Sequence, residues 1–142
     1  TLYGASSGVE QQIVAGIRGF FGRELDLSPA ECDAIHHRYG STVWGLQEEG
    51  RLTTEQVERY YQEVFASVSL SGLYRSGQDL GVGDATGYRH GASARAMILA
   101  HRGPIFVASN SPMPHVLRVL AGVGLADVPF AGILTPDTRC VG

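Results

Sequence analysis

At 142 residues, 44% of them hydrophobic, the chain is long enough for one globular domain with an appendage but short for a two-layer core carrying a full lid. A formal net charge of −3, a pI near 5.9 and no block of Lys or Arg exclude an electrostatic case for nucleic acid, although a few backbone amides can still hold a small anion locally. No apolar run approaches the roughly 18 residues of a membrane span, and no charged-then-apolar leader is present, so the expectation is a soluble, intracellular protein, cytoplasmic by default, with no nucleic-acid or membrane partner.

Ser7 with Glu10 three residues later has the form of a capping box, and Val9, Ile13, Ile17, Phe20 and Phe21 recur at helical spacing. This predicts an amphipathic helix in spite of Gly16 and Gly19, each costing up to about 1 kcal/mol relative to Ala. Ser28, Pro29 and Glu31 supply N-cap, first position and box closure for a second helix. Thr53 and Gln56 do the same for a third, with Val57, Tyr60, Tyr61, Val64, Phe65 and Val68 on its buried side. Three capped helices joined by short connections describe a small bundle. Trp44 and the Tyr60-Tyr61 pair are expected to pack inside it or between its helices.

A Gly-rich stretch, "LSGLYRSGQDLGVGDATGYRHGAS", then reads as an irregular connector. Its "GVGDATG" keeps neither the dinucleotide nor the P-loop spacing. From residue 92 onward the order is helix, strand "PIFVAS", helix "SPMPHVLRVLAGVGL" ending near Gly122 or Gly124, and strand "FAGILT", which is the alternation of a parallel sheet with crossover helices.

Ser109 and Asn110 fall at the carboxyl end of the first of these strands, where open α/β sheets place ligands. Two readings stand side by side. Ser-Asn-Ser-Pro is a common turn and helix cap, and the same hydroxyl and amide, with the free amides of the following helix, can bind a phosphoryl oxygen. The histidines point elsewhere: His36 and His37 are adjacent and diverge by about 100° on a helix, so they are expected on the surface, and His90, His101 and His115 are scattered without triad spacing. Cys32 and Cys140 stand alone and read as free thiols in a reducing compartment.

The segments "TLYGASSGVEQQI", "YGSTVWGLQEEG", "IFVASNSPMPHVLRVLAGVGLAD" and "TPDTRCVG" resemble the pyrimidine 5′-nucleotidase-type members of the haloacid dehalogenase (HAD) phosphohydrolase superfamily. The resemblance covers nearly the whole chain and is weakest across residues 70 to 92. It implies a Rossmann-like α/β core, partial in this chain, with an inserted helical cap: 1–7 as the end of the first core motif, 8–70 as cap, 71–92 as connector and 93–142 as partial core. It further implies hydrolysis of phosphate monoesters such as nucleoside monophosphates through an aspartyl phosphate with Mg²⁺. Thr1 would be the last residue of the first motif, and Ser109, with Asn110 beside it, the phosphate-binding residue of a later strand. Both catalytic Asp would then precede Thr1 and the Lys of the third motif would follow Gly142, so this stretch alone is expected to be inactive, a processed product or excerpt of something longer. Asp84 and Asp137 are not expected to replace the nucleophile. The alternative is a HAD relative without catalysis, a structural subunit whose partner completes its sheet.

Overall fold

A computed structural model describes residues 7–73 and 90–137, which fall into two compact units, Glu10–Val68 and Thr1–Val9 with Ser69–Gly142. Glu10–Val68 is helical. It holds α1 (Val9–Leu25, whose first residue belongs to the other unit), α2 (Pro29–Tyr39), α3 (Thr42–Glu48) and α4 (Thr54–Ala66). The capping signals act where they were read on α2 and α4: the Ser28 hydroxyl accepts from the Glu31 amide while the Glu31 carboxylate accepts from the Ser28 amide, and Thr53 and Gln56 exchange the same pair of bonds. At α1 the expected box between Ser7 and Glu10 gives way to a shorter closure, in which Ser7 Oγ accepts from the Val9 amide at 3.4 Å across Gly8, whose φ of 71° suits a residue without Cβ.

The helix α3 adds a fourth element to the three expected. Ser41 caps it, accepting from the Trp44 amide, and its seven residues are too few to display an apolar period. It also corrects the reading of Trp44. Thr42, Val43, Gly45 and Leu46 take the inward positions, leaving Trp44 54% exposed with its indole N–H donating to Glu48 at 3.0 Å. Gly45 lets α3 approach α2 closely, because a Cβ there would lie 2.5 Å from the Tyr39 ring and 2.6 Å from the Ile35 side chain.

The core of this unit gathers Phe20, Phe21, Cys32, Ile35, Leu46, Tyr60, Val64 and Phe65. Phe21 stacks on Tyr60 at 5.2 Å between centroids, and Phe20 meets both rings edge-on, geometries that add to the burial of the rings themselves. Tyr60 is buried and Tyr61 half-buried, within the packing expected of them, and Cys32 is a buried free thiol whose burial pushes its pKa up. Arg18 grips Asp33 with two hydrogen bonds, and Arg59 grips Glu24, fixing α1 against α2 and α4 from the surface.

The second unit carries the α/β alternation: α5 (His90–Ala100), β1 (Phe106–Ala108), α6 (Met113–Gly122) and β2 (Gly132–Leu134). The strands are parallel neighbours, with Phe106 opposite Gly132, Val107 opposite Ile133 and Ala108 opposite Leu134. Side chains alternate across the sheet. Val107 and Ile133 join Ile98, Val116, Leu120, Leu125 and Val128 in a core on the α6 side. Phe106, Ala108, Gly132 and Leu134 share the opposite face, on which Phe106 is 58% and Leu134 50% exposed. Arg95 fastens α5 to the loop after α6 by a two-bond grip on Asp127 and a bond to the Gly124 carbonyl. No helix among the described residues is long and apolar enough to cross a membrane.

Candidate functional site

The two parallel strands end together where α6 begins. The Ser109 amide donates to the Leu134 carbonyl at 3.0 Å, extending the ladder one residue past β1, and the chain then turns: the Ser111 amide donates to Ser109 Oγ, also at 3.0 Å. The turn reading of Ser-Asn-Ser-Pro is therefore observed at Ser109. Ser109 forms the turn as an acceptor, and because a hydroxyl carries one donor besides its lone pairs, its O–H remains to donate to an anion. Ser109 is half-buried and Asn110 exposed beside it.

The helix cap comes from a different place than expected. Pro112 holds the N-cap position of α6 with no side-chain cap bond, and the carboxylate of Asp137, 24 residues on, accepts from the Met113 amide at 3.0 and 3.1 Å. Asp137 follows β2 by three residues, so the carboxyl ends of both strands converge on the entry to α6. A carboxylate against an exposed helical amide is favourable charge placement. It also means that an anion held at that helix end meets Asp137 already on the Met113 amide. Sequence reasoning passed over Asp137 as a partner of this segment; the available signal was Pro112, whose side chain has no oxygen to offer the first turn.

Beneath this rim lies a cavity of about 370 Å³ bounded by residues 105–109 of the strand region, by Ile98 of α5 and by Val116, Val119 and Leu120 of α6, with His115 and Ser111 as polar members. His115 is 3% exposed, and burial together with the neighbouring Arg118 cation holds its imidazole below the ordinary histidine range. His36, His37 and His101 lie on the surface.

Among the described residues no three of His, Cys, Asp and Glu come together as a metal site, and the Asp137 oxygens face the Met113 amide. Thr1, Asp84, Cys140 and the "GVGDATG" stretch lie outside the described residues, as does most of the 71–92 connector. No protein-family model matches the sequence, and no curated protein matches it.

Proposed function

We propose that this chain is part of a HAD-type phosphohydrolase resembling the pyrimidine 5′-nucleotidases, with Ser109 donating its hydroxyl to a phosphoryl oxygen and Asn110 beside it at the same anion site. The observation that supports the reading is the placement of Ser109 at the joint carboxyl end of two parallel strands linked by a helix, with its O–H left to donate. Ser109 binds and polarises; it does not attack. Hydrolysis through an aspartyl phosphate needs a carboxylate nucleophile, and Asp137, engaged with the Met113 amide, is not assigned that part.

Ligand-dependent stabilisation tests the site. Inorganic phosphate and a pyrimidine nucleoside monophosphate should each raise the unfolding temperature, a ligand at 100 times its Kd contributing about 2.7 kcal/mol, and Ser109→Ala should abolish the rise. Equal stabilisation of the Ser109→Ala variant would sink the assignment. A second reading, an inactive relative serving as a structural subunit, is favoured by the exposed apolar face that carries Phe106 and Leu134. Phosphate release by the protein purified from its source separates the two, since turnover rules out the subunit reading and binding without turnover favours it.

A further inference from the structure

A helix leaves its first amides without partners inside itself, and an anion at its end can use only those that remain uncommitted. At the entry to α6 the supply is short. Pro112 and Pro114 carry no N–H. The His115 and Val116 amides both donate to the Pro112 carbonyl, at 3.0 and 3.1 Å, and the Ser111 amide, just upstream, donates to Ser109 Oγ. From Ser111 to Val116, Met113 is therefore the one residue whose amide is not committed to the turn or to the helix itself. That is the amide on which both Asp137 oxygens converge.

We infer that Asp137 is an internal competitor of phosphate at this site, an autoinhibitory carboxylate seated on the amide that a phosphoryl oxygen would use. The inference rests on the reading of Ser109 as the phosphate-binding residue and adds how that site is controlled. The two groups belong to one end of the same strand pair: the Ser109 amide donates to the Leu134 carbonyl, and Asp137 lies three residues beyond Leu134. Asp137 is exposed, and among the described residues no Arg or His side chain pairs with it, so its negative charge is left to oppose an anion arriving at Ser109.

One N–H given to a carboxylate in a charge-assisted bond is not given to a phosphoryl oxygen at the same time. Phosphate must displace Asp137 from Met113 or bind without that donor beside a like charge, and either course weakens its hold. Linkage makes the effect reciprocal: bound phosphate loosens the Asp137 contact by the same factor, and with it the tie between the segment after β2 and the entry to α6. A purely structural cap has the opposite signature. Its loss would slacken the turn that presents Ser109, and phosphate would bind more weakly.

Inorganic phosphate titrated into the full protein, followed by NMR at the Met113 amide, tests the competition. The Met113 resonance should move as phosphate binds. Asp137→Asn keeps an acceptor for that amide without the charge, and Asp137→Ala gives up both; each should bind phosphate about fivefold more tightly or better, the lower end of couplings between linked sites. The asparagine variant decides the matter if the alanine variant fails to fold, since Asn caps helices as Asp does. Unchanged or weaker affinity in Asp137→Asn, or a Met113 resonance that phosphate leaves unmoved, overturns the inference, and the Ser109 reading survives it if Ser109→Ala still abolishes binding. Tightening that persists when Ser109→Ala is added strikes the Ser109 reading and upholds Asp137 as the competitor at the α6 entry. Failure of every variant to bind phosphate overturns both.

Discussion

Replacing Gly45 and Gly19 by Ala, one at a time, should move stability in opposite directions although both are interior helix positions. In α3 a Cβ at Gly45 would stand 2.5 and 2.9 Å from two ring carbons of Tyr39 and 2.6 Å from a methyl of Ile35. Neither neighbour can yield freely: Ile35 is buried in the core, and the Tyr39 hydroxyl is tied to Glu49. Overpacking of this kind costs roughly 1 to 3 kcal/mol, and three close contacts belong at the upper end. Removing glycine's backbone freedom returns about 1 kcal/mol, so Gly45→Ala should lose about 1 to 2 kcal/mol net. At Gly19 the nearest atom is the end of the flexible Arg23 side chain at 3.8 Å, an ordinary contact. Gly19→Ala should therefore gain roughly 0.5 to 1 kcal/mol. Urea unfolding followed by far-UV circular dichroism and by the fluorescence of Trp44, the single tryptophan, reads both changes. With a slope near 1 kcal/mol per molar for so small a helical unit, the Gly45 midpoint should fall by about 1 M or more. A Gly45→Ala protein as stable as the parent would refute the claim that α2 and α3 pack through the glycine.

Two further outcomes follow from caps and charges. Thr53→Ala should cost about 1 kcal/mol, since it removes the acceptor for the Gln56 amide and half of the reciprocal box, and the same urea titration measures it. His115, held below its ordinary value near 6.5 by burial and by Arg118, is neutral in the fold at pH values where the unfolded imidazole takes up a proton. The unfolded state thus binds more protons, so this contribution to stability is complete above the unfolded value and is lost as pH falls from there toward the folded one. His115→Leu should flatten that part of the stability profile between pH 7 and mildly acid conditions; an unchanged slope would mean that another group titrates there.

Local signals were sufficient at α2 and α4, though not at α1, where Ser7 closes on the Val9 amide and forms no box with Glu10. Ser28 with Glu31 and Thr53 with Gln56 lie three apart, so their reciprocal bonds are written in the spacing, and the apolar period of α1 and α4 announced the aromatic core around Tyr60. The alternation of helix and strand after residue 92 likewise foretold two parallel strands around α6. The helix α3 was not visible, because seven residues do not establish a period, and without its direction the outward turn of Trp44 could not be known. Ser109 could be set at a strand end from sequence, but not its bond from Ser111 or the convergence on the α6 entry.

Tertiary structure alone brought Asp137 to the Met113 amide and sank His115 into a cavity wall. Each of these joins residues far apart in sequence, or depends on what lies across a sheet. Which of the longer segments coil and which extend was legible locally, since propensity, caps and period are properties of a few consecutive residues. Which carboxylate closes a helix depends on where the chain returns in space. No local energy term specifies that.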